Sequence, residues 1–344
     1  MRILQVLDLL DYGDAVSNDT LILRKMIREL GFESEIYSLF CDSKVEKERL
    51  PFETLSLKND DIVFHHFSGR SFIAEKLLKM PGKKCMIYHN ITPPKFMKGI
   101  NRDHCEVGLR QAASLEYDYY IAVSEFNAID LKRLGVEKDI FVLPIILDFE
   151  NNKKNIIYKK NGHKIVFIGR FAPNKCIEDI IKVFAKYNEL FDSESELIMP
   201  GNANVDPEYF DMISKLIASC NCKERIKLPG KILDDEKDLL LKSADCYISM
   251  SEYEGFCVPL VEAMSYSVPV FAYDAGAVRD TMSGAGVLFD RKDPEFVARL
   301  LNTVFADEDI LNQIVNKQHE VIKRFNYESI KPHLEQIINE IKDD

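Results

Sequence analysis

The amino-acid sequence predicts an α/β protein made of two doubly wound, Rossmann-like domains that face each other across a cleft. Short apolar runs alternate with amphipathic segments along the chain, and this βαβα order indicates a mostly parallel sheet covered on both faces. Polar, turn-rich stretches at 151–155 and 159–162 interrupt the alternation, which then begins again. The length of 344 residues also exceeds what one hydrophobic core usually serves.

We place the N-terminal domain at residues 1–150, the C-terminal domain at 151–325 and a terminal helix at 326–344. The amphipathic spacing of Tyr327–Ile341 predicts this helix, which suits packing on either domain, including a return to the first. Near the N-terminus, Ser17–Leu30 predicts a helix with Ser17 as its N-cap and Gly31 closing it.

Apolar, β-rich runs predict the strands of both domains. Those of the first domain are Ile3–Leu7, Asp61–His65, Lys84–Tyr88, Tyr119–Val123 and Ile140–Leu143. Those of the second domain are Lys164–Ile168, Glu196–Met199, Arg225–Leu228, Cys246–Met250 and Val268–Ala272.

The charge balance argues against nucleic acid as a partner. Forty-five lysines and arginines stand against 56 aspartates and glutamates, a formal net charge of −11. General nucleic-acid binding depends on neutralising phosphates, so an acidic protein suits it poorly. A site for an anionic ligand must then be a local cationic pocket.

Two further features predict a cytoplasmic protein. The apolar stretch that precedes Asp8 is too short for a signal peptide, and no run approaches the roughly 20 apolar residues of a membrane span. The eight cysteines are scattered without metal-ligand or redox-motif spacing, which predicts free thiols. Peripheral contact with the inner face of a membrane stays open.

Because open parallel sheets bind ligands at the carboxyl ends of their strands, the loops after the strands are the candidate sites. The loop Gly169–Lys175 contains Arg170 and Lys175 just before a predicted helix. A guanidinium, an ammonium and a helix N-terminus together suit a diphosphate. The alternative is two solvated surface cations.

A second loop offers two carboxylates. Glu254 lies in the loop after the strand Cys246–Met250, and Glu262 lies about one turn inside a helix that Pro259 opens. Carboxylates accept hydrogen bonds from vicinal hydroxyls, which predicts one for a ribose and one for a second sugar. A capped helix with two solvated carboxylates is the alternative.

Together these loops resemble the retaining glycosyltransferases of family 4. Glu254 and Glu262 match the family's pair of glutamates with seven residues between them, and Gly169–Lys175 resembles its phosphate-binding segment. The resemblance is clearest over residues 164–290 and implies the GT-B architecture of two Rossmann-like domains.

The resemblance also implies a role for each matched residue. Arg170 and Lys175 would bind the donor diphosphate, Glu262 the ribose and Glu254 the donor sugar. Gly169 shapes the phosphate loop. The backbones of Gly255, Phe256, Cys257 and Val258 would approach the sugar and its phosphate. Cys257, like Cys176, stands where relatives often have glycine.

The N-terminal half adds two pieces to this resemblance. His89 follows the strand Lys84–Tyr88 in a His-Asn-Ile-Thr-Pro segment, whose histidine in relatives contacts the donor sugar. Gly13 lies in a loop similar to one that relatives use near the diphosphate. We count His89, Glu254, Arg170 and Lys175 as the candidate catalytic residues.

Further residues are candidates for the acceptor side. After the second predicted strand, these are His65, His66, Ser68 and Gly69. Four lysines are candidates for contact with anionic lipid, with a solvated helix face as the alternative: Lys76, Lys79, Lys83 and Lys84.

The activity implied is transfer of a hexose from a nucleoside diphosphate sugar to a hydroxyl of a glycan or lipid-linked glycan, with retention and without a metal or other cofactor. The pairs Asp60-Asp61 and Asp234-Asp235 suit solvated charges better than metal ligands. GDP-mannose is the first choice of donor and a UDP-hexose the second.

Three other classes of protein remain as alternatives. A sugar-nucleotide epimerase, a glycan phosphorylase or a non-catalytic relative that binds sugar nucleotides would share the two-domain fold. A dinucleotide-dependent oxidoreductase would have G-x-G-x-x-G after the first strand, whereas Asp11–Val16 holds a single glycine.

Overall fold

A computed structural model describes residues 1–147 and 162–344. The chain divides into two compact units, the first comprising Met1–Asp148 and Phe325–Asp344, the second Phe149–Arg324. The boundary expected after residue 150 and the polar stretch 151–155 lie outside the described residues, as does most of 159–162.

In the first unit, seven described strands form one parallel sheet in the order β3-β2-β1-β4-β5-β6-β7. The strands are β1 (Ile3–Leu10), β2 (Ile36–Cys41), β3 (Leu50–Pro51), β4 (Ile62–Phe67), β5 (Lys83–Tyr88), β6 (Tyr119–Ala122) and β7 (Ile140–Val142). The helices before residue 148 are α1 (Ala15–Glu29), α2 (Ala74–Leu78), α3 (Gly99–Ser114) and α4 (Glu125–Arg133).

In the second unit, six described strands form another parallel sheet in the order β10-β9-β8-β11-β12-β13. They are β8 (Lys164–Val166), β9 (Glu196–Ile198), β10 (Ile226–Lys227), β11 (Cys246–Ser249), β12 (Val270–Tyr273) and β13 (Val287–Phe289). The helices are α5 (Ile177–Leu190), α6 (Pro207–Ser219), α7 (Asp234–Ser243), α8 (Val258–Ser265), α9 (Val278–Met282), α10 (Pro294–Phe305) and α11 (Glu308–Ile322).

The prediction of two parallel α/β sheets is confirmed. In both sheets the strand order reverses beside the first strand, which has its successor on one side and a later strand on the other. A crevice for ligands forms at such a point, at the carboxyl ends of the strands. The loops after β1 and β4, and after β8 and β11, are therefore the ones that matter for function.

The terminal helix α12 (Tyr327–Asp343) belongs to the first unit. Its apolar face is buried through Ile330, Leu334 and Ile338, and Lys83 Nζ donates to the carbonyl of Ile341 at 2.7 Å. Packing of an apolar stripe fixes this helix within the first unit.

The predicted N-cap of α1 was wrong. The helix begins at Ala15, and the Asp14 carboxylate accepts from the amides of Val16 and Ser17 at 3.1 and 3.3 Å. Ser17 Oγ instead accepts from the amide of Asp11 at 2.9 Å. Aspartate and serine are comparable N-caps, so sequence preference did not separate them.

Two groups of charges also differ from the prediction. Asp61 is buried rather than solvated, because Arg2 Nε and the amide of Lys58 donate to its carboxylate at 3.2 and 2.8 Å. Lys84 is buried too, and its Nζ donates to three backbone carbonyls of 80–82 at 2.6–2.9 Å. With Lys83 bound to α12, neither lysine is available to anionic lipid. In the described residues no helix is both long and apolar enough to cross a membrane.

Candidate functional site

The loop Gly169–Lys175 connects β8 to α5 and ends in a single 3-10 turn at Pro173–Lys175. Cys176 then caps α5 with φ of +47°, a left-handed conformation that L-residues rarely adopt. Arg170 is exposed, and within the described residues no hydrogen bond or ion pair occupies its guanidinium. Its fork is thus available to an anionic ligand.

The two predicted loops of the second unit are joined by an ion pair. Lys175 Nζ lies 2.6 Å from Glu254 Oε1, and the two side chains keep only 15% and 9% of their exposure. Asn174 ties the loops together as well, because its Nδ2 donates to the carbonyl of Tyr253 at 3.1 Å and its carbonyl accepts from the amide of Glu252 at 2.8 Å. The neighbouring positions of β8 and β11 in the sheet bring these loops to the same edge.

The second loop leads into α8 as predicted, with Pro259 in the first turn. Cys257 precedes the helix with φ of +72°, a conformation that glycine adopts without steric cost. Burial, reinforced by the charge of Glu254, raises the pKa of the Cys257 thiol well above its usual range. The thiol therefore stays protonated and is a small neutral group at this position.

Glu262 has a partner that the sequence did not reveal. Lys237, on α7, places Nζ 2.8 Å from Glu262 Oε1, and both side chains are partly buried. Burial alone would lower the pKa of Lys237, but the Glu262 carboxylate raises it overall. A lysine on a predicted helix normally indicates a solvated face, so no sequence signal distinguished it.

Two glycines hold the backbone of the site residues in close contact. A Cβ on Gly201 would lie 1.8 Å from the carbonyl oxygen of Gly169, and one on Gly276 would lie 2.6 Å from the carbonyl oxygen of Glu254. Gly276 also has φ of +59°. Its neighbour Ala277 donates its amide to the same Glu254 carbonyl at 2.9 Å. The sequence alone gave Gly276 no distinguishing feature.

The candidates of the first unit lie at the carboxyl ends of its strands. Gly13, in the loop after β1, is exposed with φ of +75° and has open space where a Cβ would be. His89 directly follows β5, and its Nε2 is 2.8 Å from Nδ1 of His66. Asn90 has φ of +75°, which turns the chain away from the strand.

Three of the acceptor-side candidates are buried, namely His65, His66 and Gly69. His65 is fully buried, with Nδ1 2.7 Å from the hydroxyl of Tyr117. Gly69 packs so closely that a Cβ there would meet His104 Nε2 at 2.4 Å. These residues serve the core of the first unit, which lone histidines and glycines in loops often do.

One group among the described residues has the composition of a metal site. Asp19, His66 and His89 each offer a ligand atom, and these atoms lie within 4.8 Å of one another. The two histidines, however, already hydrogen-bond each other, with Nδ1 of His66 2.8 Å from Nε2 of His89. Asp19 accepts from the amide of Ile146 at 3.1 Å. One ring nitrogen of each histidine is thus occupied by the other ring, and the Asp19 carboxyl by the backbone.

The structure therefore brings the second-unit candidates together at one sheet edge: Gly169, Arg170, Lys175, Glu254, Gly255, Phe256, Cys257, Val258 and Glu262. Gly13 and His89 belong to the other unit. Two cations and two carboxylates around the backbone of these loops can hold a pyrophosphate with a sugar on each side. The individual roles stay predictions.

Comparison with known proteins gives this site a family context. A family model described as "Glycosyl transferases group 1" matches residues 148–323, about half of the chain. Among curated proteins, O-antigen chain mannosyltransferase B of Escherichia coli is 22% identical over 164 residues, 48% of this chain and 42% of that protein. The chain spans about half the length of the curated relatives it matches.

Solved structures resemble the whole chain. A glycosyltransferase from Rickettsia africae ESF-5 superposes with a TM-score of 0.76 at 18% identity, covering 99% of this chain and 98% of that one. Anabaena Alr3699/HepE in complex with UDP-glucose superposes with a TM-score of 0.78 at 17% identity, covering 99% and 100%. At such low identity the likeness shows the fold, and it confirms the GT-B class.

Proposed function

The chain belongs to the group 1 glycosyl transferases, and we propose that it is a retaining, metal-independent hexosyltransferase whose donor is a nucleoside diphosphate sugar. The observation that carries this proposal is the ion pair of Lys175 with Glu254, which lies at the same edge of the sheet as Glu262.

The cations supply what a departing nucleoside diphosphate needs. Arg170 is exposed at the start of the loop, and its planar fork suits two phosphate oxygens. The Lys175 ammonium has three donors, of which Glu254 takes one. These charges stabilise the leaving diphosphate in place of a metal ion.

The carboxylates suit the two sugars of the donor. Glu262 lies on α8 and accepts from Lys237 through Oε1, which leaves Oε2 for a ribose hydroxyl. Glu254, held by Lys175 and by the backbone around Gly276, faces the transferred hexose. Fixing its orientation beforehand reduces the entropy lost when the sugar binds.

For the donor we propose GDP-mannose, with a UDP-hexose as the alternative. The name of the Escherichia coli relative, a mannosyltransferase, supports the first. The solved complex of the Anabaena protein with UDP-glucose supports the second. For the acceptor we propose a glycan or lipid-linked glycan, reached from the cytoplasm by peripheral contact with the membrane.

A thermal-shift panel tests the nucleotide first. A ligand that binds only the folded protein raises the melting temperature, by an amount that grows with its concentration over its dissociation constant. We expect GDP or UDP, without added metal, to raise it while the adenosine and cytidine diphosphates do not. Lys175→Met should abolish the shift, and Lys215→Met, which changes an exposed lysine of α6, should retain it.

Turnover then separates an enzyme from a binding relative. The selected sugar nucleotide is incubated with a candidate glycan acceptor, and the anomeric configuration of the product is read by NMR. Retention of the donor's configuration supports the proposal. Inversion, or nucleotide binding without transfer to any glycan of a broad acceptor panel, contradicts it.

A further inference from the structure

A chain of hydrogen bonds inside the first unit begins at Gln5, a fully buried residue of β1. Gln5 Nε2 lies 2.9 Å from the carbonyl oxygen of Thr20. A carbonyl can only accept, so the NH₂ end of the amide must point at Thr20. Gln5 Oε1 therefore faces the other way, where it lies 2.8 Å from Nε2 of His66.

This orientation dictates which nitrogen of His66 carries a proton. Because Gln5 Oε1 can only accept, His66 Nε2 must be the donor. A neutral imidazole has one N–H, so Nδ1 of His66 is bare. His89 Nε2, 2.8 Å from this bare nitrogen, must in turn be the donor. The single N–H of a neutral His89 is thereby used, and its Nδ1 is left with a free lone pair.

Both rings are neutral for a physical reason. Burial, reinforced by the nearby His89, lowers the pKa of His66 well below its usual range. Burial lowers the pKa of His89 to about 3. The rings lie nearly parallel, with centroids 5.1 Å apart, so a proton on both would place like charges side by side.

The end of this chain is unsatisfied. His89 Nδ1 is shielded from solvent and has no hydrogen-bond partner in the described part of the chain. Buried polar atoms are normally paired, and an acceptor left alone costs free energy that a donor group of a ligand recovers. The free lone pair lies on the residue that directly follows β5, at the edge of the sheet where ligands of such folds bind.

We propose that Gln5 and His66 are positioning residues that hold His89 with a bare Nδ1, so that His89 accepts a hydrogen bond from a sugar hydroxyl and does not donate a proton. This assignment rests on the proposed function for the identity of the ligand, a sugar. The hydroxyl belongs either to the transferred hexose or to the glycan acceptor. In both cases the ligand group is a hydrogen-bond donor.

NMR of the ligand-free protein tests the protonation directly. Two-bond nitrogen–proton correlations of isotope-labelled histidine distinguish a bare from a protonated ring nitrogen, and His89→Gln assigns the signals. We expect a bare Nδ1 in the natural sequence. Gln5→Met, which has no acceptor, should give a mixture of the two tautomers. A protonated Nδ1 in the natural sequence, or an unchanged signal in Gln5→Met, overturns the assignment.

Two further variants keep this test decisive. His65→Gln changes a buried histidine on the same strand that is outside the chain of hydrogen bonds, and it should leave the His89 signals unchanged. Gln5→Glu retains an acceptor but favours a doubly protonated His66, which reverses the bond between the rings. The proton of His89 should then move to Nδ1, and its absence there would count against the proposal even if Gln5→Met does not fold.

Kinetics identify the hydroxyl. Gln5→Met should lower kcat/KM for transfer about tenfold, the usual loss when one hydrogen bond to a substrate is removed, and leave the affinity for nucleotide alone unchanged. Donor and acceptor analogues that lack one hydroxyl each are then compared. An analogue that lacks the hydroxyl bound by His89 should react equally fast with the natural sequence and with Gln5→Met. The analogue that behaves in this way shows whether the hydroxyl belongs to the hexose or to the acceptor.

The outcomes separate this inference from the proposed function. A bare Nδ1 that responds to Gln5→Met, in a protein that transfers no sugar, upholds the hydrogen-bond chain and refutes the sugar ligand. Normal transfer with a protonated Nδ1 upholds the transferase and refutes the positioning role. Equal kcat/KM in Gln5→Met and the natural sequence also refutes it.

Discussion

The ion pair of Lys175 with Glu254 makes a quantitative prediction about stability. The charged atoms are 2.6 Å apart, and the side chains keep 15% and 9% of their exposure. Removing one partner of a buried ion pair costs about 3–5 kcal/mol, because the other charge stays buried and uncompensated. Since some exposure remains here, we expect Lys175→Met or Glu254→Gln alone to cost about 2–3 kcal/mol, at or just below the lower end of that range.

The double variant should behave differently from the sum of the two. With neither charge present, nothing uncompensated remains, so we expect Lys175→Met with Glu254→Gln to cost at most about 1 kcal/mol. It should nevertheless be inactive, because both proposed ligand contacts are gone. The double variant thus separates the loss of function from the loss of stability, which neither single variant does.

Urea unfolding of the four proteins measures the coupling. The exposed pair of Lys215 with Asp211 on α6, whose side chains keep 77% and 62% of their exposure, is the control. Its cycle should give a coupling of no more than about 0.5 kcal/mol. Additive costs for Lys175 and Glu254, or an equally large coupling in the control pair, would refute the view that burial makes this ion pair strong.

Three further predictions concern the glycine contact, the buried acid and the metal. Gly201→Ala would force its Cβ to 1.8 Å from the Gly169 carbonyl oxygen and should weaken nucleotide binding at least tenfold. The control Gly284→Ala, whose Cβ would have open space around it, should leave nucleotide binding unchanged. Equal losses of affinity in the two variants would contradict the role of the contact. Burial raises the pKa of Asp19 to about 7, so the folded protein keeps a proton that the unfolded chain releases. The contribution of Asp19 to the free energy of unfolding therefore falls by about 4 kcal/mol from pH 4 to pH 7. The lowered pKa of His89 acts in the opposite direction, and its contribution rises between about pH 3 and pH 6.5. Asp19→Asn should remove only the Asp19 contribution, so the melting temperature should rise more steeply with pH than in the natural sequence. The same dependence of melting temperature on pH in both proteins would contradict this prediction. Transfer should survive a chelator, and activity lost to chelation and restored by magnesium or manganese would disprove metal independence.

Much of the fold could be predicted because apolar runs and turn residues mark strands in a parallel sheet. The runs predicted at Ile3–Leu7 and Cys246–Met250 became β1 and β11, with ends shifted by one to three residues. The strands β2, β3 and β13 were missed. Ile36–Cys41 begins only five residues after the glycine that closes α1, and Val287–Phe289 is only three residues long. Neither segment shows enough hydrophobic alternation to be recognised as a strand.

The candidate site was predicted as a set of loops but not as a set of contacts. Position after a strand was enough to propose Lys175 and Glu254, because carboxyl ends of neighbouring strands share an edge. Their direct pairing, and that of Lys237 with Glu262, depends on side chains 79 and 25 residues apart that no local pattern connects. Gln5 illustrates the same limit, since a glutamine inside a strand has no distinguishing sequence context.

Two cysteines at positions where the family resemblance predicts glycine show what the site requires there. Cys176 and Cys257 both adopt the left-handed conformation, with φ of +47° and +72°, at the N-termini of α5 and α8. Such a conformation costs a residue with a Cβ about 1 kcal/mol or more. The chain therefore preserves the backbone turn at a cost in stability rather than relaxing it. Burial keeps both thiols neutral by raising their pKa, that of Cys176 to about 11, so the substitution adds no charge beside the proposed diphosphate. The requirement at these two helix N-termini is therefore the left-handed backbone turn. A small neutral side chain is compatible with that turn.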